Sequence, residues 1–87
     1  LGSRTLLVKI YYEQGAWDAL EAALKAFQVF LRRNRSISTK VKTPYVNFIR
    51  LSSALLRQLP ASYPKLKAKI EATQALNNRD WLLAKLS

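Results

Sequence analysis

The stretch AWDALEAALKAFQVFLRRN, residues 16–34, decides the fold class. Its apolar residues Trp17, Leu20, Leu24, Phe27 and Leu31 step by three, four, three and four, with Ala23 and Phe30 alongside. Asp18, Glu21, Lys25, Gln28 and Arg32 repeat the same steps on the other side. One dry stripe and one wet stripe at a period near 3.6 predict an amphipathic α-helix. Glu21, four residues before Lys25, adds a surface pair, and the acids come early and the arginines late, as the helix dipole favours.

Upstream, Arg4 to Gln14 carries Leu6, Leu7, Ile10 and Tyr11 on one side and Lys9 and Glu13 on another. The run Thr5–Tyr12 would also suit a short strand, because Val8, Ile10 and the tyrosines favour pleats. Gly15, standing directly before a strong helix, instead predicts a helix terminator and a tight helical hairpin over 4–34. Downstream, Arg35-Ser36-Ile37-Ser38 is a polar break. A third helix follows, marked by Tyr45, Phe48, Ile49, Leu55, Leu56 and Leu59 and ended by Pro60. Either Ser38 caps it, with Pro44 a later irregularity, or Thr43 caps it with Pro44 at the first helical position. After Pro60-Ala-Ser-Tyr-Pro64, Lys65 to Leu76 predicts a weaker helix holding Leu66 and Ile70 inward. Asn78 is placed to cap a last short helix containing Trp81, Leu82, Leu83 and Leu86.

The 87 residues suffice for one domain with a small core. Leucine, alanine, lysine and arginine dominate, and two glycines with three prolines leave little turn chemistry for strands. Cysteine and histidine are absent, which excludes disulfides, thiolate metal sites and the usual proton shuttle. There is no Gly-rich phosphate loop, no cofactor signature and no indicated small-molecule substrate. No apolar run approaches the roughly 20 residues of a transmembrane helix. With no methionine anywhere, the chain is expected to be a piece of a longer product. Asp18 and Glu21 lie three apart and could form a carboxylate pair, but they fall opposite Trp17 and Leu24, on a solvated face. The chain is therefore expected not to be an enzyme.

The first hairpin resembles a tetratricopeptide repeat, with Leu7, Tyr11, Gly15 and the aromatic Trp17 on that repeat's spacing. The resemblance implies that Leu7 and Tyr11 wedge against the second helix while Gly15 lets the helices turn. Leu20 and Phe27 stand where the repeat has small residues, and Arg32 where it has proline. A second copy about 34 residues on would match Val41 and Tyr45 to Leu7 and Tyr11, but Ile49 replaces Gly15 and Gln58 replaces Leu24. The third helix is thus expected to continue where a repeat would turn, as in an atypical terminal repeat. The Tyr45-Val46-Asn47-Phe48-Ile49-Arg50 and Arg79-Asp80-Trp81-Leu82-Leu83 segments are also similar to the C-terminal end of repeat-type proteins of the Bacteroidetes.

The charge is uneven along the chain. The formal net charge is +10, and all of the excess falls between Arg32 and Lys69. Arg32, Arg33, Arg35, Lys40, Lys42, Arg50, Arg57, Lys65, Lys67 and Lys69 stand there with no acid among them. Such a block would attract anions: a nucleic acid, an acidic protein tail or a membrane surface. Arg32, Arg33 and Arg35 have a purely structural reading as well, since cations favour a helix end. No aromatic-rich nucleic-acid signature accompanies the block.

The sequence thus predicts an all-α fold of about five helices in antiparallel hairpins: a right-handed tetratricopeptide-like solenoid end or a small helical bundle. Leu7, Tyr11, Trp17, Leu20, Leu24, Phe27, Phe48 and Leu55 are the expected core. The expected function is a non-catalytic protein-contact or scaffold module, covered by a protein partner or by upstream repeats of the same chain. The alternative is a basic helical module that binds nucleic acid or another polyanion without sequence preference.

Overall fold

A computed structural model describes residues 1–87 as five α-helices and no strand. The helices are α1 (Gly2–Gln14), α2 (Trp17–Arg33), α3 (Thr39–Arg57), α4 (Tyr63–Ala72) and α5 (Arg79–Ala84), with a single 3-10 turn over Pro60–Ser62. The chain divides into two compact units, Leu1–Arg35 and Ser36–Ser87, at the polar break after α2.

The first unit is the hairpin of α1 and α2. Gly15 ends α1 in the left-handed region at φ 66°, and its N–H donates to the carbonyls of Tyr11 and Tyr12. The Ala16 N–H returns to the Tyr11 carbonyl at 3.0 Å, closing a left-handed helix terminus that L side chains resist. A Cβ at Gly15 would meet nothing nearer than the Trp17 ring at 3.8 Å, so only backbone strain demands glycine there. The helices run antiparallel. At the turn, Tyr12 meets Trp17 edge to face at 5.5 Å; at the open end, the Arg4 guanidinium lies 4.1 Å over the Phe30 ring.

The six expected core residues of α1 and α2 fare differently. Leu20, Leu24 and Phe27 are buried as expected, with Leu31 continuing their stripe. Leu7 is 41% exposed and Trp17 is 50% exposed, so neither belongs to the core, while Tyr11 is half-buried. The helix α1 is turned so that Thr5 and Val8 are its buried positions. The Thr5 hydroxyl donates to the Leu1 carbonyl at 3.2 Å, which satisfies its polar group within the helix. A small, β-branched seam lets α1 lie close to the bulky side chains of α2, whereas two adjacent leucines would hold it off. Trp17 stands at the very start of α2, where Tyr12 meets its ring.

The second unit is built on α3. Ser38 caps it, its hydroxyl accepting from the Val41 N–H at 3.3 Å, so the helix starts before Pro44. Pro44 sits inside the helix and costs the Lys40 carbonyl its usual partner. The helix passes through Ile49 without turning and ends at Arg57, three residues before Pro60. Phe48 and Leu55 are buried as expected, and Ile49, Leu51, Leu66, Ile70 and Leu82 complete this unit's core. The Phe48 and Trp81 rings meet at 6.1 Å, joining α3 to α5. Ser52 is also buried, and its hydroxyl has no hydrogen-bond partner.

The helix α4 stops at Ala72, four residues short of the expected Leu76. Its end is held by polar groups that sequence periodicity does not register. The Thr73 N–H and hydroxyl both donate to the Lys69 carbonyl. The Arg79 guanidinium donates to the carbonyls of Ile70, Glu71, Thr73 and Gln74. A helix leaves its last carbonyls without partners, and a cation with fixed forked donors is suited to them. The same loop is tied to α3, where Asn47 donates to the Ala75 carbonyl at 2.8 Å and the Asn77 N–H donates to the Pro44 carbonyl at 3.2 Å. Asn78 stands at the start of α5 but does not cap it with its side chain, which bonds to Asn77 instead. Its own role is conformational: it adopts φ 60°, which asparagine tolerates better than most residues.

Two stability measurements check this packing. Leu24→Ala or Phe27→Ala should lower unfolding free energy by about 2–5 kcal/mol, while Leu7→Ala should change it by less than about 0.5 kcal/mol. Equal losses at Leu24 and Leu7 in urea denaturation would overturn the orientation of α1. Arg79→Ala should cost about 1–3 kcal/mol, because it strips partners from part-buried carbonyls. A neutral effect would show that water replaces the guanidinium.

Candidate functional site

The basic residues named from sequence divide between the two units. Arg32, Arg33 and Arg35 belong to the first unit; Lys40, Lys42, Arg50, Arg57, Lys65, Lys67 and Lys69 belong to the second. All are exposed except Lys42, which is half-buried. On α2, Arg32 continues the wet stripe of Lys25 and Gln28, and Arg33 points about 100° away from it. On α3, Lys40 and Lys42 project about 160° apart. Arg50 and Arg57 are seven residues apart and share the outward side of α3, about 20° apart in direction, with Val46 and Ser53 near them. On α4, Lys65 and Lys69 share one flank and Lys67 lies on the other, one turn before Glu71. The second unit still carries nine bases against two acids, a net of +7. Its field is strong and spread over several faces.

The carboxylates offer no paired site. Asp18 and Glu21 are both exposed, and Glu21 lies 4.0 Å from the Lys25 ammonium across one helical turn. No group of three or more acidic side chains comes together to hold a metal ion. No helix is long and apolar enough to cross a membrane. A concavity beside the hairpin turn, bordered by Gly15, Ala16, Trp17, Asp18 and Ala19, is open to solvent.

The more distinctive surface contains Leu7, which the sequence placed in the core, and Leu6 and Ile10 from the same side of α1. On α1, Leu6 is 57% exposed, Leu7 41% and Ile10 40%. They occupy one side of the helix, turned away from the Thr5 and Val8 seam that meets α2. Ser3, Glu13 and Gln14 border them, all exposed. The signal that could have found this face was the second apolar pair, Val8 with Tyr12, which gives α1 two dry sides where a surface hairpin needs one. In the second unit the exposed apolar residues Val41, Val46 and Leu59 are scattered singly.

Comparison of the chain with protein-family models, with curated proteins and with solved structures finds no match in any of the three.

The electrostatic character of the second unit has a direct check. Polyanion binding driven by phosphate neutralisation should weaken steeply with salt, because each contact releases condensed counterions. Replacing Arg50 and Arg57 together with glutamine should then lower affinity for DNA, RNA and heparin alike and flatten the salt dependence. Unchanged binding in that variant would mean that the outer side of α3 is not the contact.

Proposed function

We infer that this chain is a non-catalytic protein-contact module, the end of a tetratricopeptide-like helical array. The observation that carries this reading is the exposed face of Leu6, Leu7 and Ile10 on α1. Single exposed leucines are common on soluble proteins and need no explanation. Three on one side of a helix, whose other side is already committed to α2, make a surface with packing left to do. In helical repeat arrays each hairpin buries its outer side against a neighbour, and one hairpin alone stays partly dry. Cover for α1 would come from a separate protein or from preceding repeats of the same chain.

The tetratricopeptide-like spacing of Tyr11 and Gly15 supports the same reading, while Leu7, which that repeat would wedge against the second helix, is exposed here. Thr5 and Val8, and not Leu7, fill the seam within the hairpin, which leaves Leu7 for a neighbour. The lack of histidine and cysteine and the solvated carboxylates argue in the same direction, since they leave little with which to run acid–base or nucleophilic chemistry.

A second reading rests on the net +7 of residues 36–87 and on Arg50 and Arg57 sharing one side of α3. Under it, this unit would bind a polyanion without sequence preference. The dispersal of the other bases over several faces makes it the weaker of the two.

The contact reading is tested by Leu6→Asp with Ile10→Asp. Both positions are exposed, so the thermal midpoint should stay within about 3 °C of the parent, the scale of a surface change. Proximity labelling in cells should lose specific neighbours in the variant. An unchanged set of neighbours would count against α1 as the contact and leave the polyanion reading ahead.

A further inference from the structure

The turn between α3 and α4 carries the most exposed large apolar side chain of the protein. Leu59 is 75% exposed, and Gln58, Pro60, Ala61 and Pro64 near it are exposed as well. One exposed leucine needs no explanation, but the setting of this one narrows what can meet it. No charged residue stands between Arg57 and Lys65. The backbone there also has few N–H groups left to offer. Pro60 and Pro64 have none. The Gln58 N–H donates to the Ala54 carbonyl and the Ser62 N–H to the Leu59 carbonyl, both at 2.9 Å, and the Tyr63 N–H donates to the Pro60 carbonyl. Five of the seven positions from Gln58 to Pro64 thus bring no free N–H. Such a turn leaves water at a reduced polar cost, because unpaired N–H groups are what make apolar surroundings expensive for a backbone. The two prolines also hold its shape, so little ordering remains to be done on contact.

The charges around this turn are of one sign. Arg57 ends α3 and Lys65 lies in the first turn of α4, both exposed. The two acids of this unit are at the other end of α4. Glu71 is eight residues on from Tyr63, about 12 Å along the helix. Asp80 follows Arg79, whose guanidinium holds the carbonyls of Ile70, Glu71, Thr73 and Gln74 at that end. Physiological salt screens charges over about 8 Å, so a surface touching Leu59 meets bases and not acids. We propose that the α3–α4 turn is an interfacial anchor, inserting Leu59 into a membrane surface of anionic lipid with Arg57 and Lys65 against the headgroups. An apolar tip between cations matches both layers of such a surface. Nucleic acid would satisfy the cations but give Leu59 nothing, and no aromatic ring of this unit is exposed as a stacking platform for bases. A protein groove would gain little area from a single leucine. One leucine and two bases give a reversible, salt-sensitive attachment, and no helix is long and apolar enough to cross. The inference goes beyond both readings above and needs neither.

The full 87-residue chain would be sedimented with vesicles of phosphatidylcholine alone and of phosphatidylcholine with an equal share of phosphatidylserine. It should bind the anionic vesicles about tenfold or more tightly, and the difference should shrink at high salt. Arg57→Gln with Lys65→Gln should lower affinity for the anionic vesicles about tenfold. Leu59→Ser should lower it about fivefold or more, with the thermal midpoint and heparin binding unchanged. Val46→Ser, at an exposed valine of α3 away from the turn, should have no effect. Because the chain has no cysteine, Leu59→Cys and Ala72→Cys each accept a single environment-sensitive dye. The dye at position 59 should shift to the blue on anionic vesicles, and the dye at position 72, at the far end of α4, should not. Vesicle binding that Leu59→Ser leaves intact, with no blue shift at 59, overturns the anchor and leaves only charge attraction. Equal binding to the two kinds of vesicle overturns anionic lipid as the target. No binding to anionic vesicles at low salt overturns the proposal outright. Binding to DNA or RNA that Leu59→Ser weakens would replace the membrane by nucleic acid as the occupant.

Discussion

The seam between α1 and α2 sets what the first unit can present. Thr5 and Val8 are the buried positions of α1, small and β-branched, with the threonine hydroxyl satisfied inside the helix. The seam is pinned at both ends, by the Arg4 guanidinium on Phe30 and by Tyr12 against Trp17. Neither contact needs Leu6, Leu7 or Ile10. Once α1 is turned this way, its leucines must face outward, because a helix has only one side to give to one neighbour. The same antiparallel arrangement gathers arginines at the open end and acids at the turn. An outward apolar strip on α1 follows from a choice of seam.

The second unit solves a different problem. It has a short α4 and a six-residue α5, too short to be stable on their own. Packing of Phe48, Leu55, Leu66, Ile70 and Leu82 supplies part of what is needed. The rest is polar: Arg79 holds the carbonyl end of α4, and Asn47 and Pro44 of α3 hold the loop that leads to α5. A basic residue that counts toward net charge in the sequence is thereby committed to backbone. Arg50 and Arg57, by contrast, stay exposed on the outer side of α3.

Much of the architecture was legible because helix formation is local. The three–four spacing of Leu20, Leu24, Phe27 and Leu31 fixes both α2 and its buried stripe, and Gly15 marks the turn through a backbone conformation that other residues resist. Ser38 was one of two candidate caps for α3, and its bond to the Val41 N–H decides between them. The end of α4 was not legible, since the groups that fix it, Arg79 and Asn47, lie outside the helix. For α1 the sequence showed two dry sides, Val8 with Tyr12 and Leu6 with Leu7 and Ile10, but not which of them is buried. Leu6, Leu7 and Ile10 are the more hydrophobic set, and hydrophobicity alone favours burying them.

By itself the sequence determined an all-helical chain, its hairpin at Gly15, the break after α2, the lack of histidine and cysteine chemistry and the size of the positive charge. These depend on composition and on interactions within a few residues. Only tertiary structure decided which side of α1 is buried, which arginines remain outward and which charges stand near one another. Those are set by close packing and by antiparallel chain direction, which bring Arg4 beside Phe30 across 26 positions and put Arg32 and Arg33 at the end of the hairpin opposite Glu13. Local periodicity carries no information about either.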